Sequence, residues 1–169
     1  MQKYPANEWF ATCPKGMEAL LAGELSALGA GSTRETVAGV YFEGPLSLAY
    51  RACLWSRLAN RILWPLVKAP VEDAQSLYRV VGALSWEEIF DPRYSFAIDF
   101  SGQNRHIRNT QFGAQRCKDA IVDYFVSRGS TRPQVDRGEP DVRLNIRLAK
   151  SDLHISVDIS GGSLHQRGY

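Results

Sequence analysis

The chain has 169 residues and a mass of 18.9 kDa, with 44% hydrophobic and 22% charged residues. This composition is ordinary for a folded protein and excludes wholesale disorder. No uncharged apolar stretch approaches the roughly 20 residues needed to span a bilayer, and Lys3, Pro5 and Glu8 interrupt the N-terminus, so we expect neither a signal peptide nor a membrane partner. Three widely spaced cysteines argue against a disulfide framework or a zinc ribbon and favour a cytoplasmic location.

The charges are unevenly distributed, although the net charge is only +2. From Asn104 to Arg132 there are six cations and two carboxylates, whereas from Val71 to Gln103 there are two cations and six carboxylates. Arginine predominates among the cations, and its planar guanidinium makes bidentate hydrogen bonds to phosphate and stacks on bases. This pattern favours nucleic acid bound at one face, with an arginine-rich solvated surface as the alternative.

The first 67 residues predict a β-α-β-β-α-β order, the ferredoxin-like arrangement. A short strand at Glu8–Cys13 precedes a helix that begins near Pro14 and ends at Gly29. Gly39 either divides two paired strands or marks a bulge. A helix after Pro45 and a strand over about residues 58–67 complete the unit.

A break near residue 70 predicts the start of a second α/β unit. Its predicted elements are a helix capped by Asp73, a short helix opened by the capping-box pattern Ser85–Glu88, a half-buried strand at Tyr94–Phe100, a helix over about Gln111–Arg128, and two strands on either side of a Lys150–Asp152 turn. A basic loop, residues 101–110, precedes the longer helix.

No pattern in the sequence predicts a catalytic centre. The three histidines are far apart and lack metal-ligand spacing, so we expect no metal site. The sequence has no G-x-G-x-x-G, P-loop or G-x-S-x-G motif, and the pair Gly161-Gly162 alone is a weak phosphate-loop signal.

Binding is better supported than catalysis. The basic loop places cations and amides just before a helix N-terminus, where free N–H groups and the helix dipole attract phosphate. On the strand that follows, Arg143, Asn145 and Arg147 alternate with buried positions, about 7 Å apart along one face. The alternative is that Arg143 and Arg147 form ion pairs with Asp99 or Asp158.

Several stretches resemble one family almost from end to end. They are Trp55–Ile62, Phe100–Gly102, Ile107–Ala114, Lys118–Asp123, Arg132–Arg137, Pro140–Arg143 and the tail Asp158–Tyr169. The chain resembles the N-terminal half of bacterial 23S rRNA guanine-N2 methyltransferases of the large-subunit K/L type. The resemblance implies an α/β (α+β) fold with a ferredoxin-like domain at residues 1–69, a THUMP RNA-binding domain at 70–160, and a linker at 161–169 towards a methyltransferase domain that has no counterpart in this sequence.

By that resemblance, the chain is expected to recruit 23S rRNA, in an early or naked assembly form, for an S-adenosylmethionine-dependent methyltransferase. Enzyme activity and S-adenosylmethionine are assigned to the parent protein only. The candidate RNA-binding residues of the second unit are Arg105, Arg108, Asn109, Gln111, Arg116, Lys118, Arg143 and Arg147. The cations around residues 105–118 and 143–147 are expected to converge on one concave site, and Arg57 and Arg61 are candidates for extra contacts on the first unit. Two alternatives remain: the RNA-binding part of a tRNA-modifying THUMP enzyme, and a protein-interaction or small-ligand module that binds no RNA.

Overall fold

The computed structural model describes residues 1–161. Its strands and helices, in chain order, are β1 (Gln2–Lys3), β2 (Glu8–Thr12), α1 (Glu18–Leu28), β3 (Thr33–Thr36), β4 (Gly39–Glu43), α2 (Leu46–Trp55), β5 (Arg61–Pro70), α3 (Ala74–Gly82), β6 (Phe96–Gly102), α4 (Thr110–Ser127), β7 (Val142–Ala149) and β8 (Asp152–Asp158). A 3₁₀ turn at Trp86–Glu88 lies between α3 and β6. The predicted mixed α/β class is confirmed.

Contacts between residues divide the chain into two compact units. The first unit contains Tyr4–Pro65 together with Val157–Gly161, and the second contains Met1–Lys3 and Leu66–Ser156. Strands β5 and β8 therefore contribute residues to both units.

The first unit has the predicted β-α-β-β-α-β order, with strands arranged β3-β4-β2-β5. All three pairings are antiparallel, and Phe10 lies between Tyr41 on β4 and Leu63 on β5. The alternate residues of these strands form a core with α1 and α2. This core includes Trp9, Ala11, Leu21, Leu25, Val40, Phe42, Leu48, Ala49, Ala52 and Ile62. Gly39 is the first residue of β4, which pairs with β3. It therefore divides two paired strands, which confirms one of the two alternatives predicted for it.

The second unit has the strand order β5-β8-β7-β6, and β1 pairs with the end of β5. Strands β6 and β7 are parallel, with Ile98 opposite Leu144. Helices α3 and α4 pack against each other, and α4 also packs on β6. Phe90 is central to the core, because its ring contacts those of Trp86, Phe96 and Phe125.

Two details differ from the sequence predictions. Strand β5 is displaced, running from Arg61 to Pro70. The capping box predicted at Ser85 is wrong, because the segment is a 3₁₀ turn and Ser85 makes no side-chain cap. The buried Trp86 fixes this turn by donating its indole N–H to the Val81 carbonyl at 2.7 Å. The expected linker at 161–169 lies, apart from its first residue, outside the described residues.

A capping box is present instead at the start of α3, where Asp73 was predicted as the N-cap. The Ser76 backbone N–H donates to the Asp73 carboxylate at 2.8 Å, and the Asp73 N–H donates to the Ser76 hydroxyl at 3.0 Å. The Ser76 N–H bond is also the main reason that the pKa of Asp73 lies below its ordinary value.

We predict that Asp73→Ala lowers the Tm of the chain by several degrees, because the first turn of α3 loses its side-chain acceptor. Ser85→Ala is the matched control, since that serine has no capping role. Thermal unfolding followed by circular dichroism measures both changes. An equal loss of Tm in the two variants would contradict this account of the helix start.

Candidate nucleic-acid interface

The basic loop before α4 is held by Asn104. Its carboxamide oxygen accepts hydrogen bonds from the backbone N–H groups of His106 (2.9 Å) and Ile107 (2.7 Å), and its Nδ2 donates to the Glu72 carbonyl at 3.0 Å. The Ile107 side chain is completely buried, whereas Arg105, His106 and Arg108 are exposed. The loop thus turns its apolar residue into the core and its cations outward.

Helix α4 begins directly after this loop, with Asn109 as its N-cap. The Asn109 side-chain oxygen accepts from the backbone N–H groups of Gln111 (2.8 Å) and Phe112 (3.2 Å). This leaves the Asn109 amide NH₂ as its donor group. The two arginines of the loop lie beside the positive end of the α4 dipole, and both features favour an anion.

A cavity of about 350 Å³ lies between α4 and the outer edge of β6. Helix α4 supplies Gln111, Gln115 and Lys118, which recur on one side because their spacing follows the helical turn. Arg143 enters from β7, and Arg137 enters from the segment before β7. The cavity therefore gathers three cations and two amide side chains.

The backbone of β6 adds hydrogen-bonding groups to this cavity. Ser95 accepts from Val142 on the β7 side, whereas Phe96 exchanges hydrogen bonds with Gln134 and Asp136 on the opposite side. Because alternate residues of a strand direct their N–H and C=O groups to opposite edges, those of Ile98 and Phe100 point away from β7. Both residues line the cavity.

Carboxylates offset part of the positive charge. The Arg143 guanidinium lies 3.3 Å from the Asp99 carboxylate, and the Lys118 ammonium lies 2.8 Å from that of Asp119. Asp99 also lines the cavity, so its lining carries three cations and one carboxylate. The ion pair between Arg143 and Asp99, which was the alternative to a role in RNA binding, is therefore present. The lining of the cavity still has more cations than carboxylates.

The structure brings together only some of the ten candidate residues. Gln111, Lys118 and Arg143 line the cavity, while Arg105, Arg108 and Asn109 lie in the loop and cap before α4. Arg116 stacks on Tyr78 of α3 instead, with its Cζ 4.7 Å from the ring centroid.

Arg147 is exposed on β7, near His154. Burial, then Arg147 and Lys68, hold the pKa of His154 below its ordinary value. Arg147 does not line the cavity; it lies near Lys68, whose ammonium is 3.8 Å from the Asp152 carboxylate.

The two candidates in the first unit differ from each other. Arg61 forms an ion pair with the buried Asp158, which gives it a structural partner. Arg57 is exposed, and its backbone N–H donates to Glu24 at 3.0 Å.

Sequence reasoning missed Arg137 as a site residue. It belongs to a turn-rich segment that has no periodicity, so local patterns do not predict the direction of its side chain. A bridge between Phe96 and Val135 brings this segment to the edge of β6.

Within residues 1–161 no group of His, Cys, Asp and Glu side chains is arranged to hold a metal ion. None of the helices in this part of the chain is both long and apolar enough to cross a bilayer. The loop from β6 to α4, residues 103–109, contains no glycine, so it lacks the glycine-rich turn expected around a nucleotide-type cofactor. This loop therefore does not fit S-adenosylmethionine.

Comparison with known proteins agrees with this fold. A family model described as the RlmL ferredoxin-like domain matches residues 8–63, and the THUMP domain model matches residues 71–158, more than half of the chain. The chain belongs to the THUMP-domain proteins, and its THUMP region follows a ferredoxin-like domain of the RlmL kind. The resemblance drawn from the sequence is thereby confirmed.

Individual proteins that match this chain have names that state an activity, which the domain families do not. A protein of Cellvibrio japonicus named "Ribosomal RNA large subunit methyltransferase K/L" is 53% identical over 163 residues, which cover 96% of this chain and 22% of that protein. The chain thus spans about a fifth of the length of such relatives.

Two solved structures share the fold. One is a predicted N6-adenine-specific DNA methylase from Listeria monocytogenes, with a TM-score of 0.81 and 26% identity over 96% of this chain and 43% of that one. The other is SMU.472, a putative methyltransferase complexed with SAH, with the same TM-score and identity over 100% of this chain and 45% of that one.

We predict that Asn104→Ala speeds amide hydrogen exchange at His106 and Ile107, because both N–H groups lose their acceptor. Gln103→Ala is the matched control, since that neighbouring side chain is exposed. Exchange measured by NMR would refute the anchoring role of Asn104 if both variants kept the rates of the wild-type chain.

Proposed function

We propose that this chain is an RNA-binding module that positions RNA for the catalytic part of a longer methyltransferase. The observation that carries the proposal is the cavity beside α4, where Lys118, Arg137 and Arg143 surround amide side chains and the open edge of β6. Cations suit phosphate oxygens, and amides with edge backbone groups suit ribose and base edges. The exposed Arg105 and Arg108 extend the positive surface beyond the cavity.

The target we propose is 23S rRNA of the large subunit in an early or naked assembly form, modified at guanine N2 in the cytoplasm. Support for an rRNA target comes from the name of the Cellvibrio japonicus relative. Support for S-adenosylmethionine in the catalytic part of the parent comes from the SAH complex of the structural neighbour. We further propose the division into domains at residues 1–69 and 70–160, with a linker at 161–169.

We assign binding to the cavity and bond making to the catalytic part of the longer protein. Phosphate contacts carry little sequence information, so target selection is assigned to RNA shape and to the catalytic part. A tRNA target would appear as tighter binding to tRNA than to 23S fragments. A protein-interaction module would show no affinity for either RNA.

The double variant Lys118→Gln/Arg137→Gln is expected to weaken binding to a 23S rRNA fragment and to flatten its salt dependence. Removing two phosphate contacts makes the slope of log K against log salt shallower by about 1.4. Fluorescence anisotropy over a series of salt concentrations measures both quantities.

The matched control is Lys3→Gln/Arg79→Gln, which removes the same charges from exposed positions of β1 and α3. This control is expected to keep the slope of the wild-type chain. Equal slopes in the wild type and in both double variants would refute the cavity as the phosphate site.

Asp99→Asn is expected to tighten RNA binding by about threefold, because it removes the carboxylate from the cavity and weakens the hold on Arg143. Glu88→Gln is the control, since that exposed carboxylate lies in the 3₁₀ turn. Binding by Asp99→Asn that is unchanged or weaker than wild type would count against the electrostatic account.

A further inference from the structure

The first unit has an aromatic row on the face of its sheet that is opposite to the core. Arg34, Tyr41, Phe10 and Leu63 are direct neighbours across β3, β4, β2 and β5. Directly opposed residues in antiparallel strands project from the same face, and their neighbours Trp9, Val40 and Phe42 point into the core. Two rings and a guanidinium therefore lie side by side on the other face.

These groups are in contact with one another. The ring centroids of Phe10 and Tyr41 are 4.5 Å apart, and the ring of Tyr4 stacks on that of Tyr41 at 5.8 Å with an interplanar angle of 16°. The Arg34 Cζ lies 4.2 Å from the centroid of Tyr41, and the Arg34 side chain is 62% exposed. The planar guanidinium of Arg34 thus lies over the Tyr41 ring and is itself exposed to solvent.

Gly39 is required for this arrangement. A Cβ at that position would lie 2.1 Å from the ring of Phe10. Because position 39 lacks a side chain, the Phe10 ring can lie against the backbone of β4. The hydroxyls nearby are already engaged, since Thr36 donates to the Gly39 carbonyl and Thr12 accepts from the Arg61 N–H.

We propose that this face, defined by Tyr4, Phe10, Arg34 and Tyr41, is a stacking platform for unpaired bases of RNA. Aromatic side chains on the two central strands of a β-α-β-β-α-β sheet are the arrangement by which RNA-recognition motifs stack two or three bases. Here Phe10 and Tyr41 occupy those two strands, β2 and β4. Guanidinium planes such as that of Arg34 stack on bases as well.

The charges around this face indicate where the phosphates of a bound RNA strand lie. Glu8 pairs with Arg34 at 3.1 Å and is opposite Glu43, so one end of the face is acidic. Phosphates are therefore placed away from Glu8 and Glu43. Because stacking on aromatic rings tolerates every base, the platform selects for unpaired bases and not for a sequence. This proposal rests on the proposed function, because it requires that the chain binds RNA.

The test compares Phe10→Leu/Tyr41→Leu, which keeps apolar volume but removes two rings, with Tyr50→Leu/Trp55→Leu, which removes two exposed rings from α2. The probe is a ten-nucleotide oligouridine that carries 5-bromouridine. We expect the sheet variant to bind about tenfold more weakly with an unchanged salt slope, because stacking does not involve counterions. The α2 variant is expected to match the wild type.

Photocrosslinking of the wild-type chain gives a readout that does not depend on how the variants fold. Crosslinks to Tyr4, Phe10 or Tyr41 support the platform. If crosslinks map only to the second unit and the sheet variant binds as tightly as wild type, the platform is wrong and the RNA-binding function stands. If the wild-type chain binds neither oligouridine nor 23S fragments while it is folded, both proposals fall.

Discussion

The close contact between Gly113 and Phe100 determines the geometry of the second unit. A Cβ at position 113 would lie 2.5 Å from the Phe100 ring, so α4 approaches β6 only because this residue is glycine. The approach brings Gln111, Gln115 and Lys118 alongside the outer edge of β6. A larger residue at 113 would separate the helix from the strand and change the cavity between them.

The cations around this cavity are held by different means. Asn104 and the buried Ile107 orient the loop that carries Arg105 and Arg108, and the Phe96–Val135 bridge brings Arg137 to the strand edge. Asp99 positions Arg143 and offsets part of its charge. Under the proposed function, a partly neutralised site would hold phosphate less tightly than an isolated cluster of arginines and would let the bound RNA be released.

The two proposed surfaces differ in physical character. Binding at the cavity of the second unit would depend on charge, so salt would weaken the proposed contact with RNA. Binding at the platform of the first unit would depend on π-stacking, which tolerates any base but requires that the base be unpaired. Together they would favour RNA that combines a phosphate backbone with exposed single-stranded bases.

The sequence by itself determined the order of elements and indicated the class of ligand that we propose. Alternating residues and capping patterns predicted the ferredoxin-like unit, the Asp73 cap and the helix after the basic loop, because these depend on contacts within a few residues. The family resemblance was also visible in short stretches. Local patterns failed at Ser85, where the distant contacts of a buried Trp86 override the capping pattern.

Only the tertiary structure decided which polar side chains share a site. It assigned Arg61 to Asp158 and Arg116 to Tyr78, it added Arg137 to the cavity, and it placed Phe10 beside Tyr41. Each of these pairs joins residues separated by more than 30 positions, or depends on a segment without periodicity. Strand register and helix packing, which arise from the whole core, determine where such side chains meet.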